Sequence, residues 1–132
     1  MESFAGGGNP FSVGEIAPGE TVLDIGSGCG FDCFIAAKMV GPTGKVIGID
    51  MTDAMLEKST KTAQEMGLTQ VEFKKGFAEE LPVPDESVDV VISNGVINLT
   101  PDKYAIFNGV FRILKPGGRL YLANIVVYKF IS

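Results

Sequence analysis

Apolar and polar positions follow two rhythms along this chain. Short runs rich in β-branched and apolar residues stand at 21–25, 45–49, 71–75 and 88–93. The run from Val88 to Ser93 is almost continuously apolar, as a central parallel strand covered on both faces requires. Between the runs, apolar residues recur at the three- and four-residue intervals of a helix face. Helices are predicted over Phe31 to Val40, from Asp53 to about Met66, and from about Pro101 to Leu114. Met55, Leu56, Ala63 and Met66 mark the inner stripe of the second. Ile106, Phe107, Val110, Ile113 and Leu114 mark that of the third. Gly41-Pro42-Thr43-Gly44, Gly67 and Lys115-Pro116-Gly117-Gly118 close the three helices in turn. Thr52 or Asp53 is expected to cap the second by accepting from its free N–H groups. A fifth strand is predicted from Arg119 to about Val127.

Strands that alternate with helices imply parallel pairing through right-handed crossovers. The fold class predicted is α/β, a Rossmann-like three-layer sandwich. Its sheet is mostly parallel, with about five strands ordered 3-2-1-4-5 by analogy with that fold. The switch point, and hence a ligand crevice, falls between strands one and four. Residues 1–132 form a single domain. Met1 to Pro18, with Gly6-Gly7-Gly8-Asn9-Pro10 near its start, reads as a flexible lead-in.

The first strand runs into a glycine turn, Asp24-Ile25-Gly26-Ser27-Gly28-Cys29-Gly30, and then a helix. Glycines let the backbone take positive φ and approach a ligand closely. A dinucleotide site wants G-x-G-x-x-G with a pyrophosphate on the helix N-terminus. Here glycines fall at alternate positions behind an acid, which would repel a diphosphate and suits a ligand carrying a cation, such as a methionine amino group. Asp50 lies 20 residues beyond Gly30, the distance at which a second acid takes ribose hydroxyls.

Composition narrows the chemistry. The formal net charge is −5, so no attraction to nucleic acid or anionic membrane is expected. The chain has no histidine, which removes the commonest general base and metal ligand. Its two cysteines, Cys29 and Cys33, form neither a metal pair nor a disulfide framework, and both read as small buried residues. No secretory signal and no apolar run of membrane-spanning length is present, so a cytoplasmic setting is expected.

The opening motif resembles the first motif of class I S-adenosylmethionine (SAM) methyltransferases. That resemblance implies SAM as cofactor and S-adenosylhomocysteine (SAH) as product. Asp24 would orient the amino acid end, and Gly26, Ser27, Gly28 and Gly30 would let the backbone approach. The segment reaching Asp32 would line the crevice. Asp50 would hold the ribose and Met51 would pack on adenine. Phe77, Ala78 and Glu79 would close over the base, and Asn94 would bond the methionine end. No catalytic acid or base is assigned, because displacement at a sulfonium carbon needs positioning more than proton transfer.

A closer resemblance covers about Gly6 to Ile125. Asp24-Ile25-Gly26-Ser27-Gly28-x-Gly30-Phe31-Asp32-Cys33, Asp50-Met51-Thr52, Ser93-Asn94-x-Val96-Ile97-Asn98-Leu99 and Pro101-Asp102-Lys103 look like the arsenite methyltransferase family. That family carries arsenic on cysteine thiolates; here two matching positions are Gly7 and Gly95, and glycine offers no soft ligand. The family's C-terminal strands and further cysteines have no counterpart in these 132 residues. The resemblance therefore implies a SAM-dependent transfer to a small acceptor. A quinone-biosynthesis type of methyltransferase shares Asp50-Met51 and Leu114-Lys115-Pro116-Gly117-Gly118, and a SAM-binding module without turnover is a third reading. With the last strands missing, Leu120 to Ile131 would be an open apolar edge, from which a homodimer is expected.

Overall fold

The computed structural model describes residues 16–26, 31–50, 52–77, 79–93, 103–122 and 127–129. In chain order these form β1 (Thr21–Ile25), α1 (Phe31–Val40), β2 (Lys45–Asp50), α2 (Asp53–Met66), β3 (Val71–Lys75), β4 (Val88–Ser93), α3 (Lys103–Ile113), β5 (Leu114–Leu122) and β6 (Val127–Lys129). The sheet order is β3-β2-β1-β4-β5-β6. The first five strands are parallel and in the expected order, and β6 adds antiparallel to β5.

Alternation along the central strands separates two apolar layers. Val22, Val46, Val90 and Ile92 face α1, against Cys33, Ala36, Ala37 and Val40. Leu23, Ile25, Ile47, Ile49 and Val91 face α3, against Ile106, Val110 and Ile113. The α1 layer is thin because its helix packs small residues, and Gly48 of β2 lets the helix come close. A Cβ on Gly48 would stand 2.6 Å from the Phe73 ring and 2.9 Å from the Cys33 sulfur.

Helix α2 ends as its sequence predicts. Gly67 takes φ 72°, and the Leu68 N–H donates to the Ala63 carbonyl at 3.0 Å. Its start differs. Thr52 makes no side-chain cap bond; its hydroxyl donates to Asp50 instead. The inner stripe differs too, since Ser59 and Ala63 are the buried residues and Met66 is 47% exposed. Ile16, inside the expected lead-in, is already buried in the α1 layer. The remaining lead-in, residues 1–15, lies outside the described residues.

The fifth strand starts earlier than expected. Leu114 pairs with Val88 and Arg119 with Val90, so Lys115 to Gly118 form an irregularity inside the strand rather than a loop before it. Leu114 is almost fully buried, which holds the chain to the sheet on leaving α3. Gly118 leaves no room for a side chain without a shift, because a Cβ there would lie 2.9 Å from the Lys115 carbonyl. Strand β5 also ends earlier, at Leu122, and β6 pairs with it from Arg119 to Tyr121. The edge expected to lie open is therefore partly covered by the chain's own return.

A half-buried ion pair closes the amino end of the sheet. Both terminal nitrogens of Arg119 donate to Glu20 at 2.9 Å, and its Nε donates to the Tyr121 hydroxyl at 3.3 Å. Glu20 and Arg119 side chains are 20% and 16% exposed. These bonds hold the Glu20 carboxyl below its usual range, against the opposing effect of burial, and raise the Arg119 guanidinium.

Two outcomes follow from this packing. Because the folded Glu20 carboxyl titrates below its unfolded counterpart, the pair's stability is complete above the ordinary glutamate range. It fades as pH falls through the lowered folded value. Urea midpoints of the wild type and Glu20→Gln should therefore differ at pH 7 and converge on acidification. Gly48→Ala should destabilise by about 1–3 kcal/mol in the same assay, because the buried Cys33 and the Phe73 ring must yield to the new methyl group.

Candidate functional site

Strand register assembles the site. Ile25 of β1 lies beside Ile49 of β2 and Ser93 of β4, and Asp50 lies beside Lys75 of β3. The carboxyl ends of β1 to β4 therefore share one edge of the sheet. The chain leaves β1 for β2 on one side and pairs β4 on the other, which opens a crevice where the order reverses.

Gly26 opens the turn after β1 with φ 72°, a conformation that favours glycine. Asp24 stands two residues before it, on the α1 face of β1. Its carboxylate is 1% exposed, and the Cys33 thiol donates to Oδ2 at 3.4 Å. The acid expected to meet a ligand is thus buried between β1 and α1. From there it can act on a cation above it as a charge in a low-dielectric setting.

Asp50 closes β2 and is half-buried. Its Oδ1 accepts from both the backbone N–H and the hydroxyl of Thr52, each at 3.0 Å. This Asx-type turn fixes the carboxylate orientation. Lys75, its neighbour on β3, pairs with Asp53 at 3.3 Å.

Phe77 and Glu79 follow β3 and are exposed, Phe77 by 52%. The Glu80 N–H donates to the Phe77 carbonyl at 3.0 Å, a tight bend that sets this stretch. The loop beyond is anchored by Leu81 and Val83, both buried. Arg112 of α3 also grips it, donating to the carbonyls of Leu81 and Val83 at 2.9 and 3.0 Å and to Asp85 at 2.6 Å. Ser93, at the end of β4, is 4% exposed, and its Oγ has no hydrogen-bond partner among the described residues. An unmade bond at a buried hydroxyl costs about 1–3 kcal/mol.

Ser27, Gly28, Gly30, Met51, Ala78 and Asn94 lie outside the described residues, as do Cys29, Gly7 and Gly95. Asp32 falls in the first turn of α1, with its side chain outside the description. The described residues bring Asp24, Gly26, Asp50, Phe77 and Glu79 to one sheet edge. Sequence reasoning missed three others. Thr52 holds Asp50 where a helix cap is expected, and the Asp50-x-Thr52 spacing is itself an Asx-turn signal. The bond from Cys33 to Asp24 crosses from helix to strand and left no local mark. Ser93 was quoted only as part of a longer run.

The donor set fits an adenosine carrying a cationic tail. A fixed carboxylate at the end of β2 suits ribose hydroxyls, an exposed aromatic ring lies at the end of β3, and a buried acid lies under the turn. The orphaned Ser93 hydroxyl leaves a polar atom at the end of β4. Among the described residues no cluster of His, Cys, Asp and Glu would hold a metal. A separate cavity of about 520 Å³ lies between α2 and β3, lined by Ala63, Leu68, Val71 and Phe73, and none of these site residues reaches it.

Comparison with known proteins gives the family. The description of a methyltransferase domain family matches residues 16–131. An arsenite methyltransferase of Halobacterium salinarum is 52% identical over 121 residues, covering 92% of this chain and 31% of that protein. A demethylmenaquinone methyltransferase of Lactococcus lactis is 39% identical over 102 residues, covering 77% of this chain and 40% of that protein. The crystal structure of an arsenic(III) S-adenosylmethionine methyltransferase from Chlamydomonas reinhardtii superposes with a TM-score of 0.78 at 41% identity. That match covers 92% of this chain and 43% of that one. The chain thus spans about a third of the arsenite methyltransferase it matches at 52% identity.

Proposed function

The chain belongs to the methyltransferase domain family, and from that premise we propose that it binds SAM in the crevice between β1 and β4 and passes a methyl group to a small acceptor. The observation that carries this reading is Asp50. Its carboxylate is fixed by two bonds from Thr52 at the end of β2, level with the turn after β1.

When bound, SAM supplies a methyl group on a sulfonium sulfur. This chain's part is to hold and orient. Asp50 takes the ribose hydroxyls, and Met51 and Phe77 flank the adenine, with Ala78 and Glu79 closing beside them. Gly26, Ser27, Gly28 and Gly30 bring the backbone near the methionine moiety, with Asp32 at the start of α1. Asn94 bonds its far end, and Asp24 lies beneath it as a negative charge. Displacement at a methyl carbon asks for alignment rather than for a proton shuttle, so a histidine-free chain can serve.

The acceptor is the finer part of the proposal. Identity to the Halobacterium salinarum protein favours an arsenite methyltransferase-like role. Cys33 does not supply the soft ligand such a role wants. It is buried with no exposed surface, and its thiol is engaged with Asp24. The matching glycines at 7 and 95 add no thiolate either. The likeness to the Lactococcus lactis enzyme favours a quinone-type acceptor as the second reading, and binding without turnover is the third. We place the protein in the cytoplasm; among the described residues no helix is long and apolar enough to cross a membrane. We also propose a homodimer through the outer strand β6, which the apolar run around it supports.

Calorimetric titration should show SAM and SAH binding, and Asp50→Ala should weaken both by about tenfold or more, the usual cost of losing bonds to a charged acceptor. Absence of binding by the wild type overturns the proposal. A radiolabelled methyl screen over arsenite with glutathione and over quinol-like acceptors then separates the three readings. Light scattering at tens of micromolar should give the mass of a dimer, and a clean monomer overturns that assignment.

A further inference from the structure

Cys33 is the buried reactive group for which methyl transfer has no use. It lies on α1, in the layer that faces the centre of the sheet, with no exposed surface. Two neighbours define its place. Its thiol donates to Asp24 Oδ2 at 3.4 Å. Its sulfur also occupies the hollow over Gly48, where a Cβ would come within 2.9 Å of it. Gly48 is directly beside Asp24 in the ladder between β1 and β2. The missing side chain on β2 thus makes the space from which the thiol reaches the carboxylate on β1.

Packing alone does not ask for this arrangement. Alanine, present at positions 36 and 37 of the same helix, is also fully buried there. What cysteine adds is a donor aimed at a buried acid. A carboxylate oxygen accepts hydrogen bonds, and a donor held on a facing helix fixes its direction.

We propose that Cys33 is a positioning residue for Asp24. It is not a metalloid ligand and does not touch the methyl group. It fixes the direction of the Asp24 carboxylate toward the crevice that holds the cationic amino acid end of SAM. This inference rests on the SAM reading above and deepens it, since it concerns one end of the ligand only.

The test uses the full chain and two ligands, SAM and 5′-methylthioadenosine. The second keeps adenine, ribose and a neutral sulfur but lacks both the amino acid end and the sulfonium charge. SAH, which has the amino acid end on a neutral sulfur, should follow SAM if that end is what Asp24 serves. Cys33→Ala should weaken SAM about five- to tenfold, as expected for losing a hydrogen bond to a charged group. The same variant should leave methylthioadenosine within about twofold of the wild type, since that ligand makes no demand on Asp24. Cys33→Ser keeps a donor and should restore most of the SAM affinity. Asp24→Asn should lower the ratio of the two affinities as well, with Cys33→Ala adding little on top of it.

Equal loss for both ligands, or loss that Cys33→Ser does not rescue, overturns the assignment in favour of packing alone. An unchanged ratio in Cys33→Ala overturns it directly while leaving the SAM site standing. A wild type that binds methylthioadenosine and SAM equally well removes the role of Asp24, and with it that of Cys33. A wild type that binds neither ligand ends the SAM reading itself. Thermal melts of each variant identify any that fail to fold. Cys33→Val, which fills the space without a donor and should show the same selective loss of SAM, replaces Cys33→Ala if that is among them.

Discussion

Pairing of β1 with β2 on one side and with β4 on the other is the constraint from which the rest of this molecule follows. One short strand serves both halves of the sheet, and its register brings Gly26, Asp50 and the end of β4 level with one another. A slip by one residue would reverse which side chains face α1 and which face α3. Asp24 would then leave Cys33, and Leu23 and Ile25 would leave the α3 layer. The valine and isoleucine pattern that forbids this slip is therefore also what places the site.

Much of the fold was legible because local and global preferences agree. Strands β3 and β4 and helix α1 have the bounds that periodicity and glycine punctuation indicate. The misjudged places are those where a tertiary contact outweighs a local signal. Lys115-Pro116-Gly117-Gly118 ends a helix as expected, yet Leu114 is so well buried that the chain stays on the sheet through the break. Met66 fits a helical stripe by spacing but lies at the end of α2, beyond the reach of either apolar layer. The return of β6 onto β5 has no sequence signal within the five-strand pattern that guided the reading.

The site was legible to a different extent. Glycine spacing and the position of Asp50 point to one edge of the sheet, the carboxyl ends of β1 and β2, because both depend on distance along the chain. How each acid is held depends on neighbours across the fold. Asp50 is steadied by a residue two places on, Asp24 by one on a facing helix. The two acids also differ in setting. One is half-buried at the end of its strand, while the other is fully buried against α1. Such a division suits a reaction in which the protein aligns a reactive reagent instead of exchanging protons with it.

The clasp between Glu20 and Arg119 joins residues 99 positions apart. Contacts so remote in sequence form late, because a long loop must close before they give any return. The central strand is thus framed at its amino end by a residue made 99 positions after its partner. During synthesis, β1 to β4 must wait, with apolar faces unfinished, until the segment bearing Arg119 emerges. Chaperone contact is therefore expected to matter most in the interval before β5 arrives.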